Sequence, residues 1–222
     1  IIWCSDCGVN GELQVYDGTK WTDMTGGDGL LPPFTSSQLG SDIDGEAAGQ
    51  WSGTAVSISA DASHIAIGAT LNNGNGSNSG HVRIYEWTGS NWIQLGADID
   101  GEAAHDYSGW SVSLSEDGHC LAIGAIRNDA NGINSGQVRI FRWNGSIWSQ
   151  LDADIDGEAT GDISGHSVSL SADGMRVAIG APSNDESGTD AGHLRIYEWN
   201  GSTWGQLGSD IDGETAGDYS GH

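Results

Sequence analysis

The chain repeats itself every 56 residues, and no other feature constrains its fold as tightly. Gln-Leu recurs at Gln38-Leu39, Gln94-Leu95, Gln150-Leu151 and Gln206-Leu207. Asp-Ile-Asp-Gly-Glu follows each time, from Asp42, Asp98, Asp154 and Asp210, and Ser-Gly comes next, at Ser52, Ser108, Ser164 and Ser220. A repeat of this length is one supersecondary unit that cannot bury its apolar surface alone, so neighbours must stack. Gly11 to Trp21 parallels Gly192 to Trp204. The expected organisation is therefore a diverged half-blade (its last two strands) over 1–25 and a joint over 26–40 carrying Pro32-Pro33. Three full repeat blades and the start of a fourth then occupy 41–222. The opening Ile1-Ile2-Trp3, with no initiator Met, is what a fragment or a processed product would show.

Each unit reads as four short strands. In the middle unit the first is Ser111 to Ser115, with strict polar–apolar alternation, and Glu116-Asp117-Gly118 turns into a second, Cys120 to Gly124. A polar loop from Asn128 to Ser135 leads to the third, Gln137 to Trp143. Asn144-Gly145 is a strong hairpin signal because both residues accept positive φ, and Trp148 to Leu151 is the fourth strand. No segment has a helical period. Four strands per repeat, separated by Gly-rich turns, predict an all-β β-propeller of four-stranded antiparallel blades, partial or incomplete as a ring. A β-solenoid is the alternative, but its coils are shorter and lack regular hairpins. The small residues of strand two, Ala122-Ile123-Gly124-Ala125, predict a crowded position near the central axis.

Charge narrows the function. With 31 acids against 7 Lys plus Arg, the net charge is −24, which repels nucleic acid and anionic membranes. No run of about 18 apolar residues is present, so direct membrane insertion is not expected. Three Cys are too few for a disulfide framework, and Cys4 and Cys7 cannot complete a four-ligand zinc site by themselves. Cys120 stands where the sister units have His64 and Arg176, which predicts an exposed, non-catalytic position.

Ser-Gly-x-Ser-Val-Ser-Leu-Ser-x-Asp-Gly followed by Ala-Ile-Gly-Ala-Pro, from Ser164 to Pro182, resembles the FG-GAP repeat. That repeat builds the propellers of integrin α subunits and of many bacterial surface proteins. The resemblance implies a secreted or cell-surface location and a longer parent or an incomplete ring. The family's calcium loop joins strands one and two. Here that connection is only Ala172-Asp173-Gly174, so its ligands do not carry over.

Four constellations remain. Asp98, Asp100, Glu102 and Asp106 space carboxylates around a glycine, as do Asp154, Asp156, Glu158 and Asp162, and Asp210, Asp212, Glu214 and Asp218. Calcium and a solvated turn are both open readings of these loops. The pairs Trp87 and Trp92, Trp143 and Trp148, Trp199 and Trp204 flank the hairpin turns, either as packing or as platforms for a sugar. Arg83, Arg139 and Arg195 recur on strand three, and between blades they would need an acid of the Asp-Ile-Asp-Gly-Glu segment as structural ion-pair partner. The seven His fall at differing repeat positions, and no unique nucleophile and base break the repeat, so no enzyme is expected. The Asn144-Gly-Ser and Asn200-Gly-Ser glycosylation triplets double as turns. The expected function is a non-catalytic adhesion or binding module for an extracellular protein or glycan. The alternatives are a structural spacer in a larger surface protein and a lectin-like propeller.

Overall fold

The computed structural model describes residues 14–16, 21–23 and 38–222. The chain divides into two compact units, Ile1–Leu39 and Gly40–His222. The first holds one antiparallel pair, β1 (Gln14–Tyr16) and β2 (Trp21–Asp23), with Tyr16 opposite Trp21. The remainder of the half-blade expected over 1–25, with Cys4 and Cys7, and residues 26–37 of the expected joint lie outside the described residues.

The second unit contains three sheets of one pattern. Blade one is β3 (Ser52–Ile58), β4 (His64–Ala69), β5 (His81–Trp87), β6 (Trp92–Gln94) and β7 (Ile99–Asp100). Blade two is β8 (Ser108–Leu114), β9 (Cys120–Ala125), β10 (Gln137–Trp143), β11 (Trp148–Gln150) and β12 (Ile155–Asp156). Blade three is β13 (Ser167–Leu170), β14 (Arg176–Ala181), β15 (His193–Trp199), β16 (Trp204–Gln206) and β17 (Ile211–Asp212). Each is an antiparallel meander of four strands, so the three sheets are the blades of a partial β-propeller. The Asp-Ile-Asp-Gly-Glu segment, read from sequence as a turn, contributes a two-residue fifth strand. After Gln150 the chain leaves the edge of β10 at Asp152 (φ 65°) and rejoins it, with Val138 opposite Ile155.

The period-two pattern sorts each strand between two neighbours. On β9 and β10, Leu121, Ile123 and Phe141 pack toward blade one, against Ala66, Val82, Ile84 and Ile99. The intervening Ala122, Val138 and Ile140 pack toward blade three, against Val177 and Ile179. Ile84, Leu121, Ile123 and Ile179 are almost wholly buried, each contributing about 1.5–3 kcal/mol of transfer free energy. The same period puts Gln137 and Arg139 on the Phe141 face, between blades, where both are buried and need partners. Val56 and Ile58 of blade one are exposed, at the positions where Val112 and Leu114 pack in blade two.

Backbone bonds stitch each blade to the connector that leaves it. Ser108 N donates to Ser79 O at 2.9 Å and Gly101 N to Gly80 O at 2.8 Å. Ser164 and Gly157 repeat this on Ser135 and Gly136, and Ser220 and Gly213 on Ala191 and Gly192. The first strands also meet, with Leu114 N on Ser57 Oγ at 3.0 Å and Leu170 N on Ser113 Oγ at 2.9 Å.

Two sequence readings need correction. Strand two is not the inner strand, because the order β11-β10-β9-β8 makes β8 the edge that meets the neighbouring first strands. Gly124 is small because a Cβ there would overlap the Gly165 carbonyl of the next blade. Cys120 is buried, not exposed, and lies beneath Gly174 of the next blade, where a Cβ would come within 2.7 Å of Sγ. Arg176, its counterpart, is exposed because none of the described residues forms a further blade over it. The variety at this position reflects different covers.

The glycine of Asp-Ile-Asp-Gly-Glu shows the same constraint. A Cβ at Gly157 would overlap the Ser135 carbonyl oxygen and lie 2.7 Å from its carbon. Gly205, on β16, has nothing within 4 Å of such an atom. Urea unfolding of Gly157→Ala is expected to show a loss of about 1–3 kcal/mol from overpacking, whereas Gly205→Ala should be neutral or slightly stabilising.

Candidate functional site

The most densely charged inter-blade positions are three equivalent stations. Each combines the first and third residues of strand three, the Glu of the preceding connector and the first Asp of the blade's own connector. They are Glu46, His81, Arg83 and Asp98; Glu102, Gln137, Arg139 and Asp154; and Glu158, His193, Arg195 and Asp210.

In the first, Arg83 grips Asp98 with two bonds, Nε to Oδ1 at 2.9 Å and Nη2 to Oδ2 at 3.0 Å. Its Nη2 also pairs with Glu46. The Asp98 hydrogen bonds raise the Arg83 pKa. Burial pushes the Asp98 carboxyl upward, but the bonds from Arg83 and Gln94 outweigh it and hold the group below its ordinary range. Burial also holds the His81 imidazole below its usual value.

The second station is looser. Gln137 Nε2 donates to Glu102 Oε2 at 3.0 Å, while the Arg139 guanidinium turns to the Asp100 carbonyl at 2.7 Å. Arg139 Nη1 is 4.0 Å from Glu102, and burial lowers its pKa. In the third, Arg195 Nη2 donates to Asp156 O at 2.8 Å and Nη1 lies 3.3 Å from Glu158. His193 is fully buried, with neither ring nitrogen hydrogen-bonded, and its Nδ1 lies 3.8 Å from Glu158 Oε2 and 3.6 Å from Asp210 Oδ2.

The four acids of each candidate calcium loop face different partners. Asp98, Asp154 and Asp210 each accept a bond from a glutamine four residues earlier, Gln94, Gln150 or Gln206. Asp100, Asp156 and Asp212 lie on the short fifth strand. Glu102 and Glu158 reach the following blade, and Glu214 is exposed. Asp106, Asp162 and Asp218 bond the amides of Ala103, Ala159 and Thr215. Burial raises the carboxyl pKa of Asp106 and Asp156. Among the described residues, the groups of three or more side chains close enough to share an ion are Glu46, His81 and Asp98, and Glu158, Glu186, His193 and Asp210. Glu186 was missed in sequence, yet the signal was present: Gly74 and Ala130 occupy its place in the sister units.

The tryptophan pairs are packed into the fold. Trp87 lies opposite Trp92, Trp143 opposite Trp148 and Trp199 opposite Trp204, with ring centroids 5.3–5.6 Å apart. Trp148 Nε1 donates to Leu95 O and Trp204 Nε1 to Leu151 O, both in preceding units. All six are half-buried.

At the turn between strands one and two, Asp61, Asp117 and Asp173 line a cleft of about 460 Å³ with Ala60, Glu116 and Ala172. Each Asp closes its own turn. Bonds from the Ser63 hydroxyl, the Ser63 amide and Ser59 hold the Asp61 carboxyl near a pKa of about 2.

One row varies among otherwise similar units. Ser108 and Ser111 pair with consecutive β9 partners, Ala125 and Gly124, so Gly109-Trp110 bulges from the inner strand. Gly53-Thr54 does the same in blade one, and His166 and His222 occupy the corresponding places farther along. The Trp110 and His166 rings are 5.7 Å apart and those of His166 and His222 4.5 Å. Burial, then repulsion from His222, lowers the His166 pKa.

Residues 98–141 match the family model of the FG-GAP repeat. No curated protein sequence matches the chain. Among solved structures, it is similar to Kuenenia stuttgartiensis hydrazine synthase, at 10% identity and TM-score 0.45, over 81% of this chain and 42% of that one. It is also similar to a putative 6-phosphogluconolactonase from Bacteroides uniformis, at 16% identity and TM-score 0.44, over 89% and 50%. Against a periplasmic gluconolactonase of Pseudomonas aeruginosa the identity is 12% and the TM-score 0.39, over 90% and 63%. The chain thus spans between 42% and 63% of these three structures.

The lowered Asp98 pKa contributes stability that is present above its unfolded value and lost as pH falls through the folded one. Asp98→Asn is expected to cost about 1–3 kcal/mol at neutral pH, discounted from the cost of breaking a fully buried pair because Asp98 is partly exposed. Urea unfolding across the acid range should show the gap from wild type closing as pH falls toward 2.

Proposed function

We propose that this run of blades, with an FG-GAP repeat at 98–141, is a non-catalytic binding module of a secreted or cell-surface protein. Its ligand is an extracellular protein or a glycan, met by the bulged positions of the inner strands. One observation carries the reading. Arg stations, tryptophan pairs and connector glycines hold blades together, whereas one inner-strand row carries Thr54, Trp110, His166 and His222 in successive units, the first two on bulges. Specific recognition needs such differences, because identical loops present identical surfaces. The reading does not call on calcium, since the acids of each loop face separate partners.

A structural spacer is the second reading, favoured by the near-identity of the units and the architectural use of their repeated polar groups. Protein and glycan arrays probed with the whole chain separate the two. A hit lost in Trp110→Ala and His166→Ala, with melting unchanged, is the expected result. Silence on both arrays would support the spacer. Loss confined to Trp143→Ala would move recognition to the tryptophan pairs and favour the lectin-like alternative.

A further inference from the structure

We propose that the third station, Glu158, Glu186, His193 and Asp210, binds a first-row transition-metal dication, with zinc as its simplest occupant. The donor atoms of these four residues all lie within 4.8 Å of one another. His193 Nδ1 is 3.8 Å from Glu158 Oε2 and 3.6 Å from Asp210 Oδ2. Donors about 2.1 Å from a tetrahedral ion sit roughly 3.4 Å apart, so the two His193 distances exceed the ideal by only about 0.2–0.4 Å. His193 is completely buried and both of its nitrogens lack a hydrogen-bond partner, although burying an unbonded polar group is costly. An ion at Nδ1 would relieve that cost there.

Charge points the same way. Of the three carboxylates, only Glu158 lies beside a guanidinium, Arg195 Nη1 at 3.3 Å. Asp210 accepts a side-chain bond from the neutral Gln206. Three carboxylates against one guanidinium leave two negative charges, which a dication cancels. The ligand set also selects the ion. An imidazole with carboxylates suits zinc and its neighbours, whereas calcium wants six to eight oxygens.

The sister stations provide internal controls. At the first, Arg83 already binds both Glu46 and Asp98, and Gly74 stands in place of Glu186. At the second, Gln137 replaces the histidine and hydrogen-bonds Glu102, while Ala130 replaces Glu186. Only the third unit joins the histidine to the extra acid, so the repeat breaks where a ligand set forms.

The test is calorimetric titration of the metal-free full chain with Zn²⁺. Glu186→Ala and His193→Gln import the middle unit's own residues and should preserve the blade. A principal site of one Zn²⁺ per chain is expected, weakened at least about tenfold by either variant and unaffected by His81→Gln or His166→Ala. Excess Ca²⁺ should not displace the zinc. Absence of Zn²⁺ binding, binding that both variants leave intact, or displacement by that excess of Ca²⁺ would overturn the proposal. If His193→Gln fails to fold, Glu186→Ala decides alone, because its side chain is exposed and the backbone already accepts Ala at position 130.

Discussion

Each blade meets its outgoing connector and the start of the next unit backbone to backbone, closer than any side chain allows, and the rest of the architecture follows from that. The carbonyls of Ser79, Ser135 and Ala191 occupy the space where Gly101, Gly157 and Gly213 would carry a Cβ. The carbonyls of Gly109, Gly165 and Gly221 do the same to Gly68, Gly124 and Gly180. At such a distance, amides and carbonyls of neighbouring blades either bond each other or stand buried and unpaired. The connector amides at Gly101, Ser108, Gly157 and Ser164 do bond, which locks each connector to the blade it leaves.

That locking decides where charge can go. It brings the connector acids beside strand three, where period two has already turned an arginine and a histidine or glutamine into the inter-blade layer. A buried guanidinium without a carboxylate would cost several kcal/mol, so the Glu of the preceding connector lies beside the arginine at all three stations and the Asp of the next connector joins it at the first. The stations tighten or loosen with local substitutions. Arg83 holds its acids directly, while Arg139 and Arg195 spend a nitrogen on the Asp100 and Asp156 carbonyls. Acids that looked like one calcium loop in sequence have separate partners: Asp98 bonds Arg83 and Gln94 within its own blade, Glu102 reaches Gln137 of the following blade, and Asp106 bonds the Ala103 amide.

Much of this was legible in the sequence. The 56-residue period, the four main strands and the Asn-Gly hairpins all depend on local chemistry and alternation, which a single unit displays. Relations between units were not legible. The burial of Cys120 depends on a glycine 54 residues away, and the two-residue strand at Ile155 depends on an edge of β10 left free beyond β11. The bulges at Thr54 and Trp110 were hidden because a doubled residue looks like ordinary strand until its partner is known. Glu186 was readable as a departure from Gly74 and Ala130, but its convergence with His193 requires the loop to fold back over strand three.

The central claim is that the backbone bonds tying each blade to its outgoing connector and to the start of the next blade belong to the cooperative core and are not loop contacts that open independently. Native-state hydrogen exchange of the Gly157 and Ser164 amides tests it directly. Both amides should exchange only with global unfolding, as slowly as those of β9 and β10. Exchange of Gly157 and Ser164 at the rate of exposed loop amides, with β9 and β10 still protected, would contradict it.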